Sequence, residues 1–303
     1  MNDDALLSEL TPTVCRLLER HLNVAKEWFP HELVPWEQGA EFRSDDPVVL
    51  TPLPEGVRSA LFVNLLTEDN LPYYFDDIAR MFGRDGAWGE WGRRWTAEEG
   101  RHSIVLRDYV TVCRHVDPVA LETARMAQVC GGMVPHPESV ADGLAYVALQ
   151  ELATRVAHLN TGKAMPDSAG YEVMKRVAAD ENLHHLFYRD LVSAALEIDP
   201  STTVEALERQ VAGFAMPGLG IPEFRRHALA VARQRIYDLN VHFEAVLRPL
   251  FARHWVLGDL GPLSAAAERA RVRLVARLEK AGRVARRIAE RAEAQLTVEA
   301  QPA

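Results

Sequence analysis

A chain of 303 residues, 48% hydrophobic and 25% charged, holds enough apolar material for one large core or two modest ones, which excludes disorder as its default state. Its net charge of −9 excludes a protein whose main partner is nucleic acid, since phosphate binding needs a basic face. No stretch approaches the ~18 apolar residues of a membrane span, and the opening MNDDALLSEL is acidic where a signal peptide is basic, so the sequence predicts a cytoplasmic location.

Apolar residues recur at helical spacing almost throughout, and alternating β-branched runs are scarce, so the chain reads as all-α. The periodicity predicts helices over 8–27, 56–82, 86–115, 118–131, 137–162, 167–197, 201–215, 222–256 and 263–295. Between the first two, residues 29–54 carry five prolines without helical periodicity and predict an ordered loop over the surface. Pro72 cannot donate to the carbonyl of Glu68, which predicts a kink there; a helix that begins near Pro72 is the other reading. Cys15, Cys113 and Cys130 are odd in number and lack C-x-x-C spacing, so they read as small buried hydrophobes of a reducing compartment. No low-complexity linker divides the chain. A single domain over 1–303 is expected, with loose ends near 1–7 and 296–303.

Two of these helices share a pattern, Glu98-Glu99-Gly100-Arg101-His102 and Asp180-Glu181-Asn182-Leu183-His184. A lone Glu-x-x-His arises about once by chance in a chain of this length. Here, however, Trp95, Glu99, His102, Leu106 and Tyr109 form one helical stripe, as do Met174, Val177, Glu181, His184, Tyr188 and Leu191. Glu68 follows Leu61 and Leu65 on a third stripe, and Glu151 falls among Val140, Leu144, Val147 and Thr154 on a fourth. Four inward-facing carboxylates would either protonate or require a strong central positive charge, which a metal supplies. The spacings repeat, 31 residues from Glu68 to Glu99 and 30 from Glu151 to Glu181, so the pattern is a duplicated helix pair. One Glu from each of two helices plus Glu-x-x-His from two others is the ligand set of di-metal carboxylate bundles. Four oxygens and two nitrogens suit iron or manganese better than zinc. His185 points about 100° away from His184 and reads as a surface group or one behind the ligands.

The final predicted helix is the basic exception: Arg269 to Arg291 holds nine Lys or Arg against two Glu, a net of +7. Lys280, Arg283, Arg286 and Arg287 are candidates for docking an acidic partner, and a solvated amphipathic helix packed through Val272, Val275, Leu278 and Ile288 is the alternative.

With these residues in view, the chain resembles the soluble acyl-carrier-protein desaturases of plant plastids and actinobacteria. The likeness is densest in LTEDNLP (66–72), RWTAEEGRH (94–102), QELATR (150–155), AADENLHH (178–185), LEIDP (196–200) and AMPG (215–218). It implies a ferritin-like four-helix diiron bundle built from the helices near 56–82, 86–115, 137–162 and 167–197, extended by further N- and C-terminal helices. By position, the family's ligands to two iron ions (Fe2+/Fe3+) fall on Glu68, Glu99, His102, Glu151, Glu181 and His184, the residues the spacing selects. The likeness also implies a threonine beside the irons, matched by Thr154, and an aspartate linking the first histidine to an N-terminal tryptophan, matched by Asp180 and Trp28. Thr154 bonded to its own helix and Trp28 as core remain open alternatives.

The activity so implied is O2-dependent insertion of a cis double bond into a saturated chain on acyl carrier protein. A saturated chain offers no acid, base or leaving group, so the metal must do the hard step. No dinucleotide fingerprint or cluster-binding cysteine run is present, so electrons must come from a partner such as ferredoxin. The family also implies a homodimer. A related diiron hydroxylase or N-oxygenase on a carrier-bound substrate is the main alternative, and a ferritin-like iron oxidase a lesser one, disfavoured by the helices after residue 200. A ribonucleotide reductase radical subunit is disfavoured by Leu106, where that family has its tyrosine, and by Glu68, where it usually has aspartate. A non-catalytic carrier-binding homologue is disfavoured because all six ligands are intact.

Overall fold

The computed structural model describes residues 1–42, 49–216, 218 and 220–299, with 295–299 as backbone only. Among the described residues there are helices and no strands. In chain order these are α1 (Asp3–Val24), α2 (Pro30–Leu33), a 3-10 turn (Trp36–Gln38), α3 (Glu55–Glu68), α4 (Leu71–Phe82), α5 (Gly86–Val112), α6 (Pro118–Gly131), α7 (Val140–Ala164), α8 (Ser168–Ile198) and α9 (Pro200–Gly213). There follow α10 (Phe224–Arg233), α11 (Leu239–His242), a π segment (Phe243–Leu247), α12 (Arg248–Arg253) and α13 (Ala265–Glu299). The all-α reading holds, and no described helix is long and apolar enough to cross a membrane.

Local chemistry sets the ends. Asp167 accepts the Gly170 N–H at 2.7 Å to start α8, and Ser139 accepts the Asp142 N–H at 3.2 Å to start α7. Asp117 and Pro118 open α6, which Gly132 closes in the left-handed conformation at φ +58°.

Four helices, α3, α5, α7 and α8, carry the inward carboxylates, and their apolar residues form two cores. Trp88, Trp91 and Trp95 of α5 pack with Phe187, Tyr188 and Leu191 of α8 in one. Val105, Leu106 and Tyr109 pack with Val173, Met174 and Val177 in the other. Glu99 and His102 lie between those two sets on α5, and Glu181 and His184 between them on α8. The polar layer is therefore sealed above and below by apolar packing, which removes water and strengthens every charge inside it.

Several expectations need correction. The helix predicted over 56–82 is two: α3 ends at Glu68, α4 begins at Leu71, and Pro72 lies in the first turn of α4, where its missing N–H costs least. The helix predicted over 222–256 breaks at Arg235, which adopts φ +58°, and Asp238 then caps α11 by accepting the Val241 N–H at 2.8 Å. At the N-terminus Asn2 caps α1, Leu6 is buried, and the Met1 ammonium pairs with Asp199 at 2.7 Å. At the other end α13 continues through Glu299, whereas 300–303 lie outside the described residues, as do 43–48 of the predicted loop and Pro217 of the AMPG segment. Cys15 and Cys130 are exposed and are not core hydrophobes, whereas Cys113 is half-buried and packs against the second core. His185 is not at the surface; it is buried, with Nδ1 3.0 Å from the Ala148 carbonyl, and burial depresses its pKa to about 4.

Candidate metal centre

The last residue of α3, Glu68, meets Glu99 and His102 of α5, Glu151 of α7, and Glu181 and His184 of α8, all buried. Donor atoms of Glu68, Glu99, His102 and Glu181 lie within 4.8 Å of one another, and so do those of Glu99, Glu151, Glu181 and His184. The two sets share Glu99 and Glu181. Such sets could hold two neighbouring cations, with Glu68 and His102 beside one, Glu151 and His184 beside the other, and Glu99 and Glu181 available to both.

His102 Nδ1 is 3.1 Å from Glu99, 3.4 Å from Glu181 and 3.7 Å from Glu68, and His184 Nδ1 is 2.8 Å from Glu99 and 3.7 Å from Glu151. Glu99 Oε1, Glu151 Oε2 and His184 Nδ1 are buried without a hydrogen-bond partner. Burial, with repulsion from Glu181, pushes the Glu99 and Glu151 carboxyls up, Glu151 strongly. Burial opposes protonation of His102 and His184, yet the carboxylates around them drive both imidazoles well above their ordinary value. The protein by itself is thus short of positive charge here, and two divalent cations would balance four carboxylates while satisfying the orphaned donors. The residues present fit a two-metal centre.

Behind His102, Asp180 Oδ2 accepts from Trp28 Nε1 at 2.7 Å and from Arg101 at 3.3 Å, and Arg176 reaches Oδ1. Asp180 stands 3.6 Å from His102 Nε2, an ion-pair distance and not a hydrogen bond. Burial resists ionisation of Asp180, but His102, Trp28 and Arg176 hold its pKa at about 2. Thr154 Oγ1 lies 2.8 Å from Glu181 Oε2 and also 3.0 and 3.1 Å from the Glu151 and Gln150 carbonyls, so its one proton can serve the site or its own helix.

Three partners escaped the sequence reading. Glu98 Oε2 accepts from His184 Nε2 and from His21 Nε2, each at 2.9 Å, and both histidines hold Glu98 ionised against its burial. His158 Nε2 lies 3.0 Å from Glu68, and Trp95 donates to Glu151 at 3.0 Å. Signals existed: Glu98 precedes Glu99 as Asp180 precedes Glu181, and His158 continues the Glu151 and Thr154 stripe.

Glu68, Thr154 and His158 also border a cavity of about 100 Å³ whose other walls include Ala157, Val231 and Ile236. The cavity is largely apolar and reaches Glu68, the form expected of a site for a hydrocarbon group.

A four-helix bundle enclosing four carboxylates and two Glu-x-x-His imidazoles is the arrangement of dinuclear metal-carboxylate proteins, and here these buried groups could hold metal. The chain belongs to the fatty acid desaturase family, whose sequence pattern matches residues 2–302. A Mycobacterium tuberculosis protein described as a candidate acyl-[acyl-carrier-protein] desaturase, DesA1, is 43% identical over 265 residues, 84% of this chain and 78% of that one. The chloroplastic acyl-[acyl-carrier-protein] desaturase 7 of Oryza sativa is 32% identical over 313 residues, covering 95% and 77%. The crystal structure of DesA2 from M. tuberculosis, described in the same terms as DesA1, superposes with a TM-score of 0.70 at 28% identity, over 88% of this chain and 99% of that one.

Proposed function

We propose that this protein is an acyl-[acyl-carrier-protein] desaturase, converting a saturated carrier-bound acyl chain, O2, two electrons and two protons into a cis-monounsaturated chain and two waters. The observation that carries the reading is the doubled donor set with Glu99 and Glu181 shared, set against the apolar cavity at Glu68 and Thr154. Glu68, Glu99, His102, Glu151, Glu181 and His184 would hold two iron ions, chosen over zinc by an oxygen-rich ligand set. Bound there, iron supplies the capacity to activate O2 and to abstract hydrogen from an unactivated carbon. The chain's own residues set where that happens: the two apolar cores exclude water from the layer, and Ala157, Val231 and Ile236 give the cavity a largely apolar wall for a hydrocarbon. The hydroxyl of Thr154, 2.8 Å from Glu181, can hold or pass a proton at the carboxylate edge facing the cavity.

Trp28 and Asp180 orient His102 from outside, and we read them as the side on which an electron donor of the ferredoxin class approaches. A homodimer belongs to the same reading, and sedimentation of the purified protein checks it. The test of activity is turnover of the iron-loaded protein with ferredoxin, its reductase, O2 and stearoyl-carrier protein, with double-bond localisation by mass spectrometry. A new monoene is the expected product. Iron bound and O2 consumed without olefin, across several chain lengths, would transfer the protein to the hydroxylating oxygenases.

A further inference from the structure

The two imidazoles of the layer have different aromatic surroundings. Beside His102 the Trp28 ring lies stacked at 6.5 Å, and two guanidiniums stand over that ring, Arg101 at 4.9 Å and Arg176 at 5.7 Å. A cation over a π face holds its electrons and opposes their removal. Beside His184 lies Trp91, edge-on at 6.1 Å, and among the described residues no Lys or Arg stands over its ring. Trp91 is fully buried, stacks on Phe187 at 3.6 Å, and donates its indole N–H to Tyr188 Oη at 3.0 Å. Indole and phenol are, with the sulfur side chains, the groups of a protein that most readily give up one electron.

From Tyr188 the ring contacts continue outward. Its ring lies 6.3 Å from Phe82, and Phe82 stacks on Trp88 at 5.2 Å. The Trp88 N–H faces α1, 3.3 Å from the Thr11 hydroxyl and 3.4 Å from the Leu7 carbonyl, and 7% of Trp88 is exposed. An unbroken series of rings thus joins His184 to the surface of α1. Trp95 is no part of it: its indole serves Glu151, and among the described residues its ring meets that of His184 alone. Core packing asks only for apolar volume, which Leu or Phe supplies, and leaves two indoles and a phenol in one series unexplained.

Resting on the iron and O2 reading above, we propose that Trp91, Tyr188 and Trp88 form an electron relay that drains oxidising equivalents from the layer when O2 is reduced there with no acyl chain in the cavity. Trp91 gives one electron to the layer, Trp88 refills it across Tyr188 and Phe82, and the Trp88 N–H proton leaves by Thr11 to solvent. An external one-electron donor of the ascorbate or ferredoxin class then restores Trp88, and solvent returns the proton. Two such passes, with protons from solvent, supply the two electrons that desaturation takes with the two hydrogens of the acyl chain, so O2 still ends as two waters. The two arginines over Trp28 keep the same oxidation from running out through the other half.

The test reduces the full iron-loaded chain, admits O2 without acyl substrate and with catalase present, and reads frozen samples by electron paramagnetic resonance. Peptide mass spectrometry after repeated cycles maps the oxidised residues. Wild type should show a transient indole radical, recognised by the narrower signal of ring-deuterated tryptophan, and should gain oxygen at Trp88 before Trp36, although Trp36 is 51% exposed. A diffusing oxidant attacks in the reverse order. In W91F, oxidation at Trp88 should fall several-fold and appear instead on His102 and His184. W88F leaves the packing of the layer untouched; its radical should outlive that of wild type, and its oxidation should move inward to Trp91. No organic radical in either wild type or W88F, Trp36 oxidised first, Trp88 oxidation unchanged in folded W91F, or an unchanged radical lifetime in W88F overturns the proposal. Those results leave the desaturase reading in place if olefin is formed from carrier-bound substrate, whereas the radical and the Trp88 oxidation without olefin sink that reading and keep the relay.

Discussion

The two halves of the ligand layer are copies in sequence and differ in how each histidine is held. On α8, His184 presents Nδ1 to the carboxylates and gives Nε2 to Glu98 at 2.9 Å, with His21 and Arg94 fixing Glu98 in turn at 2.9 and 2.5 Å. On α5, His102 has the same orientation, but its Nε2 faces Asp180 at 3.6 Å, and Asp180 is held by Trp28, Arg101 and Arg176. The side chains account for the gap, since aspartate is one methylene shorter than glutamate at the matching position. A second contrast runs through the outer carboxylates. Glu151 is fully buried and bonded by the Trp95 indole, whereas Glu68 ends its helix, accepts from His158 and borders the cavity. One half is a sealed support and the other faces the cavity.

If Glu99 and Glu181 bridge while Glu68 and Glu151 do not, the largest effects separate along that line. Glu181→Ala should remove nearly all bound iron, and Glu151→Ala should leave about one ion of the pair. Iron analysis of the folded variants checks this. Stoichiometric iron in Glu181→Ala would remove the duplication itself.

The orienting acids come next. Glu98→Ala should weaken iron binding by about 10- to 100-fold and Asp180→Ala by less, because only Glu98 makes a true hydrogen bond to its histidine. Chelator competition ranks the two. Asp180→Glu, by adding the missing methylene, should bring the Trp28 half closer to its twin; if it weakens iron binding as much as the alanine variant, side-chain length is not the cause of the difference.

Much of this contrast was legible in the sequence, and the illegible part has physical reasons. The six residues that meet in the buried layer could be read because a carboxylate on an apolar helical stripe is costly to bury unless a cation stands opposite it, and the bounds of α6 because Asp117, Pro118 and Gly132 are local signals. The break in the 222–256 region is a tertiary event: Asn160 Nδ2 binds the Ile236 carbonyl at 3.0 Å, and Pro249 withholds the N–H that an α-helix would give Ala245, next to the π segment. Glu98 hid inside a Glu doublet, and His21 on α1 gains meaning only when that helix is laid against α5. Exposed Val272, at 61%, shows the same limit, because periodicity finds a stripe on α13 without saying which side is covered.

Outside the layer the sealed half is also pinned by charge. Asp142 in the first turn of α7 accepts from Arg209 of α9 at 3.0 and 2.8 Å and from Gln210 at 2.9 Å, while α3 on the other half is packed against α10 at Gly56, where a Cβ would stand 2.7 Å from the Ala230 carbonyl. Burial disfavours the Asp142 carboxylate, but Arg209, Ser139 and Gln210 lower its pKa below the ordinary value. A depressed carboxyl pKa contributes stability above the unfolded value and loses it as pH falls through the folded one. Asp142→Ala should therefore destabilise the protein by about 2 kcal/mol at pH 7, short of a fully buried pair because Arg209 keeps 42% of its exposure. The difference between variant and wild type should shrink once pH drops below about 4. Denaturant unfolding at both pH values measures it, and a pH-independent difference would assign the effect to packing.

The smallest effect is expected at Thr154, which stands where the two halves meet. Thr154→Val keeps the shape, removes one hydroxyl, and leaves Glu181 with its other partners, so iron content should be unchanged and stability should move by about 1 kcal/mol or less. Turnover should nevertheless fall several-fold while O2 uptake continues, because the hydroxyl lies at the carboxylate edge on the cavity side and not behind it. Unaltered coupling of O2 uptake to olefin would place that proton in the helix, bonded to the Gln150 and Glu151 carbonyls, and leave the open half distinguished from the sealed one by His158 and the cavity alone.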